Sequence, residues 1–120
     1  MGECAELIAY KKAFKLAMDV FEISKQFPSE EKYVLSCQIR RSSRSVCANI
    51  AEAYERRNYI KHFKAKLFGA ACENSETRVW LHFGISCKYL SMEHFTKMVE
   101  ENRQIGSLLK FMINNPEKFL

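Results

Sequence analysis

The stretch QIRRSSRSVCANIAEAYERR, Gln38 to Arg57, decides how this chain folds. With the residue three before it included, Leu35, Ile39, Ser42, Val46, Ile50 and Ala53 recur at intervals of three and four, which aligns them on one stripe of an α-helix. The stripe is narrow and built from modest side chains, so it suits close approach of a neighbouring helix. Around it stand Arg40, Arg41 and Arg44, then Arg56 and Arg57. One helix carries both a packing seam and a dense array of guanidinium groups.

Outward from this stretch the periodicity stays helical. Upstream, Leu7, Tyr10, Phe14, Ala17, Phe21 and Ser24 share one face of a helix expected from about Glu6 to Gln26. Leu16, Val20, Ile23 and Phe27 widen that face, and Lys11, Lys12, Lys15, Asp19, Glu22 and Lys25 stay outside it. Pro28 ends the helix, because proline disfavours helical geometry in the residue before it and has no N–H to continue the ladder. Ser29 followed by Glu30 and Glu31 reads as an N-cap with an acidic first turn, so the second helix is expected to begin there. The polar cluster Glu55-Arg56-Arg57-Asn58 ends it, with the turn near Asn58.

Downstream, a third and longest helix is expected from Ile60 to Tyr89. Phe63, Leu67, Ala70, Leu81 and Ile85 form one apolar row on it, and Phe68, Cys72, Ser75, Val79 and Phe83, continued by Leu90, form another. Two rows need two sets of neighbours. The small and polar middle, Ala70, Ala71, Asn74, Ser75 and Thr77, admits a close backbone or a buried hydrogen-bond network. Ser91 is a suitable N-cap for a fourth helix from Met92 to about Ile113, with Phe95, Met98, Val99, Ile105, Leu108, Leu109 and Met112 inward and Asn114-Asn115-Pro116 as its stop. Nothing alternates as a strand does. The expected fold is all-α, an antiparallel up-and-down four-helix bundle formed by residues 1–120 as a single domain.

Composition narrows the function classes. No apolar run approaches the ~20 residues that span a bilayer, and the start of the chain, with Glu3 and Glu6, is unlike a signal peptide, so a soluble cytoplasmic protein without membrane contact is expected. The five cysteines, Cys4, Cys37, Cys47, Cys72 and Cys87, are odd in number and lack a Cys-x-x-Cys pair, which argues against disulfides and a thiolate zinc site and for small buried apolar residues. The formal charge is +5, and Gln38 to Lys66 holds eight basic side chains against Glu52 and Glu55, so the net basicity lies in that one segment. Arg40, Arg41, Arg44, Arg56, Arg57, Lys61, Lys64 and Lys66 are the candidate nucleic-acid-binding residues, because a concentrated positive field attracts polyanions.

Catalytic chemistry finds no support in the motifs. A bundle di-iron centre needs Glu-x-x-His pairs, but Tyr59, Val79 and Ser91 stand three before His62, His82 and His94. No glycine-rich loop cradles a phosphate, and Cys72 or Cys87 with His82 lacks any sign of an oxyanion hole. No catalytic residue, metal or cofactor is expected. Glu52 and Glu76 sit among inward-looking residues, and each is expected to pair with an arginine, Arg41 or Arg44, inside the bundle or between subunits. With Gln38 and Asn49 they are the expected structural polar residues. Trp80 is expected in the core, or at a subunit interface should it be exposed.

Phe27-Pro28 with Glu31, then Gln38-Ile39-Arg40-Arg41 and Ser45-Val46-Cys47-Ala48-Asn49-Ile50-Ala51-Glu52, resembles the signature of the four-helix bundle family encoded in intervening sequences of bacterial 23S rRNA genes. A looser match at Ala70 to Thr77 extends the resemblance over nearly the whole chain. It departs at Cys47, where the family commonly has proline, at Ala53, where glycine is usual, and at Ala70, Ala71 and Asn74, which replace Gly, Ser and Glu. Ala53 in place of glycine implies a second helix that continues further here. The resemblance implies a ring-like homopentamer with no enzymatic activity. It also implies kinship with accessory proteins of diversity-generating retroelements, which bind nucleic acid and a reverse transcriptase. Two readings follow from residues and resemblance together: binding of RNA or DNA through the basic second helix and start of the third, or a structural or protein-interaction adaptor whose arginines form subunit salt bridges.

Overall fold

A computed structural model describes residues 7–120; Cys4, Glu3 and the expected helix start at Glu6 lie outside the described residues. Four α-helices follow in order: α1 (Ile8–Ser24), α2 (Leu35–Glu55), α3 (Ile60–Ser86) and α4 (Met92–Asn114), with 3₁₀ turns at Ser29–Glu31 and Pro116–Phe119. Each helix packs on its sequence neighbour and α1 closes on α4, which makes α1 and α3 diagonal partners in an antiparallel up-and-down bundle. Among the described residues there is no strand. No described helix is long and apolar enough to cross a membrane.

The seam on α2 packs as its spacing predicts. Leu35, Ile39, Ser42, Val46, Ile50 and Ala53 are all buried, and α2 runs on through Ala53 to Glu55. Against it α3 buries Phe63, Leu67, Ala70, Thr77 and Leu81. Small side chains bring the two backbones together: a Cβ on Gly69 would lie 3.2 Å from Asn49 Oδ1. Ser42 and Thr77 share a buried hydroxyl hydrogen bond of 2.8 Å across the same interface, and Thr77 also donates to the Glu73 carbonyl. Between α3 and α4, Asn74 Nδ2 donates to the Asn102 carbonyl at 2.9 Å while Asn102 Nδ2 donates to the Asn74 carbonyl at 2.8 Å and to Asn74 Oδ1 at 3.0 Å. The small, polar middle of α3 is a buried hydrogen-bond network.

Several expectations are corrected. Phe14 on α1 is half exposed, and the buried stripe is instead Ala9, Ala13, Leu16, Ala17, Val20 and Ile23. With Ala9, Ala13 and Leu16 turned to the core, helical geometry carries Phe14 outward. The second helix begins at Leu35, not Ser29, because the chain breaks at Val34 (φ −118°, ψ −95°). That break lets Glu31 accept from the Leu35 N–H (3.4 Å) and the Tyr89 hydroxyl (2.9 Å), so the acidic turn serves α2 from outside it. α3 stops at Ser86, short of Tyr89. Lys88 adopts φ 66°, and its N–H and that of Tyr89 bond to the carbonyls of Ile85 and Gly84, a Schellman ending that completes the helix. Of the described cysteines only Cys47 is buried; Cys37, Cys72 and Cys87 lie on outward faces of α2, α3 and the turn after α3.

Candidate nucleic-acid interface

The eight basic residues do not form one surface. Arg41 donates from Nη1 to Glu73 at 2.9 Å and from Nη2 to Glu76, so two α3 carboxylates hold its guanidinium across the α2–α3 groove. Lys66 is paired with Glu52 at 2.6 Å. Arg57 lies flat on Tyr54, 4.2 Å from the ring centroid, and donates to the Tyr54 carbonyl. Their charge is committed to protein groups. Arg56, Lys61 and Lys64 stand exposed at the far end of the bundle, where α2 turns into α3.

Arg40 and Arg44 take the opposite side of α2, facing α1. The Arg40 guanidinium lies 4.9 Å from the Phe21 ring centroid and its Nε donates to Ser24 Oγ at 2.7 Å, while Arg44 approaches the same ring at 5.5 Å and Lys25 at 4.6 Å. Phe21 thus gathers three cations around one half-buried aromatic face. Arg40 and Arg44 line an open depression with Lys32, Tyr33, Cys37 and Arg41, continued by Ser45 and Ala48. Among the described residues no carboxylate lines it. A second, adjoining depression is lined by Lys25, Lys32 and Arg40 with the residues of the α1–α2 turn, and it too has no acidic lining residue.

Lys25, Lys32 and Tyr33 belong to this surface, although the segment-by-segment charge count points elsewhere. Lys25 and Lys32 lie outside Gln38–Lys66, and both flank carboxylates in the sequence, Glu22 and Glu30–Glu31. Two of those carboxylates are taken up: Glu22 by Lys25 (3.3 Å) and Glu31 by Tyr89 and the α2 N-terminus. Lys25 is thereby paired in turn, and among the described residues Lys32 is the one of the two lysines that no carboxylate holds.

The expected structural polar residues divide as well. Glu76 does pair with Arg41, and it also accepts from Trp80 Nε1 at 3.2 Å, which keeps Trp80 half-buried rather than in the core. Glu73, absent from the candidates read from sequence, is Arg41's bidentate partner. Glu52 is the correction. It is exposed and bonds to Lys66, since the α2 stripe turns Ile50 and Ala53 inward and carries Glu52 to the outside. Gln38 accepts from Arg41 Nε at 3.4 Å, and Asn49 donates to the Ser45 carbonyl at 2.9 Å, so both support α2 locally. His82 sets its ring edge-on to Phe95, 5.1 Å away. Among the described residues no three His, Cys, Asp or Glu side chains converge in a way that would hold a metal.

The Arg41 node makes an acid-sensitive contribution to stability. Donation from Arg41 holds the Glu73 carboxyl below its ordinary value of 4.5, against a smaller opposing effect of burial. A depressed carboxylate stabilises the fold above the unfolded value and loses that contribution as pH falls through the folded one. Thermal melts of the wild type and Glu73→Gln are expected to differ at pH 7 by about 1–4 °C, the range for a largely exposed pair. The difference should close as pH is lowered below 4.5. A difference constant down to pH 2 would rule out the charge pairing as its source.

With this geometry in place, residues 5–111 match the family described as 23S rRNA-intervening sequence protein. The chain belongs to that family. Among solved structures it is similar to a protein of unknown function from the S23 ribosomal protein family of Bacteroides thetaiotaomicron VPI-5482, at 31% identity and a TM-score of 0.80, over 89% of this chain and 96% of that one. No curated protein matches the chain. The family membership accords with the sequence signature at Gln38–Glu52, whose Ile39, Val46 and Ile50 are core and whose Arg40 and Arg41 face opposite sides of α2.

Proposed function

We propose that this family member is a non-enzymatic nucleic-acid-binding protein that holds RNA or DNA by its phosphates through the α1–α2 face. The observation that carries this reading is the acid-free depression lined by Lys32, Arg40 and Arg44. Arginine's planar fork grips phosphate oxygens bidentately, and a ring of nearby cations without counter-charge gives a field that is relieved by a polyanion. Base-edge readout needs an element that enters a groove, whereas α2 is packed on one side and offers a shallow face on the other. Phosphate contact with little sequence preference follows.

The test is a titration of labelled RNA and DNA at several salt concentrations with wild type, Arg40→Ala/Arg44→Ala and Arg41→Ala. Binding should weaken steeply with salt, by a log–log slope of about −0.7 to −0.9 per phosphate contact. The double substitution should flatten that slope by about two contacts and weaken binding roughly 10- to 50-fold at low salt. Arg41→Ala should change it far less, since Glu73 and Glu76 already hold that charge. No binding at low salt, or equal losses for Arg41 and for the Arg40/Arg44 pair, would overturn the assignment.

A second reading, of self-assembly, has its own observation. Phe68, Val79 and Phe83 are 64%, 49% and 55% exposed along the outer row of α3, and on the diagonal helix α1 Phe14 and Met18 are 51% and 45% exposed. Two different apolar faces on opposite sides of one protomer favour a head-to-tail contact between copies, the arrangement that closes into rings such as the homopentamer the family resemblance implies. Assembly would repeat the basic depression around the ring and multiply each weak phosphate contact. It is compatible with the first reading, because the α1–α2 depression lies on neither apolar face. Partnership with a second protein, such as a reverse transcriptase, would use surfaces left open by that ring.

A further inference from the structure

Tyr33 stands at the upstream end of the basic depression, in the turn between Ser29–Glu31 and α2, and is 81% exposed, more than any other large apolar or aromatic side chain described. A single exposed aromatic is ordinary on a protein surface, and what sets Tyr33 apart is its place in a cationic depression. Its neighbours are cationic. Lys32 Nζ lies 5.4 Å from the ring centroid, and Arg40 and Arg44 follow along the same depression. From Cys37 to Ala48 the lined face of α2 runs about 16 Å at the helical rise.

We infer that the depression takes an unpaired strand, with a nucleobase stacked on the Tyr33 ring and its phosphates running along Lys32, Arg40 and Arg44. This rests on the nucleic-acid reading above and narrows its ligand to single strands. The two parts belong together physically. A base face is open to stacking only where the strand is not already stacked in a duplex, and a cationic track beside an aromatic platform is how single strands are held without sequence readout. A duplex offers its phosphates to the arginines but no base face to Tyr33, so it loses the stacking contribution. Because every base has a π-face, the contact brings little sequence preference.

The test uses a 12-nucleotide single strand containing 2-aminopurine, as RNA and as DNA, and a blunt duplex of the same sequence, with wild type, Tyr33→Phe, Tyr33→Ala and Arg40→Ala/Arg44→Ala. Tyr33 is exposed and outside the helices, so the two Tyr33 variants should keep the wild-type melting temperature. Single strands should bind at least several-fold more tightly than the duplex, with 2-aminopurine fluorescence quenched by wild type and Tyr33→Phe. Tyr33→Ala should lose the quench and weaken single-strand binding roughly 5- to 150-fold, the range for one base–aromatic stack, with the salt slope unchanged because no charge is removed. Duplex binding should be untouched by it. Equal affinity for duplex and single strand, or Tyr33→Ala indistinguishable from wild type while Arg40→Ala/Arg44→Ala still weakens binding, would overturn the stacking inference and leave phosphate binding standing. No binding of any probe at low salt would overturn both.

Discussion

Wild-type protein at micromolar concentration should sediment at several times its 14.0 kDa chain mass, and Phe68→Glu/Phe83→Glu should sediment as the single chain. Both phenylalanines are more than half exposed in the protomer, so their removal takes little from the bundle core. In a head-to-tail interface, however, each glutamate would be buried without a partner at every contact in the ring. An uncompensated buried charge costs about 3–5 kcal/mol, and two per contact, about 6–10 kcal/mol, match the whole net free energy of a micromolar contact, about 8 kcal/mol. The effect is therefore close to all-or-none. Helical circular dichroism and melting of the variant protomer should stay near those of a dilute wild-type sample, which separates loss of assembly from loss of fold. A wild type that sediments as a monomer would remove the assembly reading, while the basic depression would remain a property of the single chain.

The largest loss of stability is expected at Asn102. Its side chain is fully buried and donates twice to Asn74. Asn102→Ala leaves Asn74 Oδ1 without a donor and opens a small cavity between α3 and α4, which together cost about 2–4 kcal/mol, or roughly 8–16 °C in Tm. Among the described residues Asn102 Oδ1 has no hydrogen-bond partner, and its removal offsets part of that loss. Asn102→Asp carries the sharper signature. Burial and the facing Asn74 carboxamide oxygen would raise the pKa of the new carboxyl, so the folded state holds a proton that the unfolded chain releases above pH ~4. Stability of Asn102→Asp should then fall by up to about 1.4 kcal/mol per pH unit from pH ~4 upward, whereas wild type, whose Glu73 carboxyl is held below its ordinary value, should gain stability at the acid end of that range. Denaturant melts from pH 4 to 8 measure this directly. A pH-independent Asn102→Asp would mean that water reaches the α3–α4 network.

The helices were legible because their residues repeat with the helical period over long segments. Leu35, Ile39, Val46 and Ile50 on α2, and Phe63, Leu67, Ala70 and Leu81 on α3, point inward for that reason alone. Periodicity fixes a face only to within about one residue's rotation where the apolar set is broad. On α1, Phe14 and Leu16 both satisfied the pattern, and the helix buries the face of Ala9, Ala13 and Leu16. Glu52 went the same way on α2. It sits between two buried residues in sequence, yet helical rotation carries it to the surface beside Lys66.

The all-α bundle, the helix order and the family could be read from the chain alone, since these depend on spacing and on a run of consecutive residues. The sequence also located the excess positive charge. Which of those charges are paired was settled by packing, because pairing across helices depends on distances between residues far apart in sequence: Arg41 to Glu73, and Lys66 to Glu52. The same packing brings Lys25, Lys32 and Tyr33 beside Arg40 and Arg44 on the α1–α2 face. Net charge along a segment is a sum, but the field at a surface depends on where each carboxylate has been spent, and that is settled by the fold.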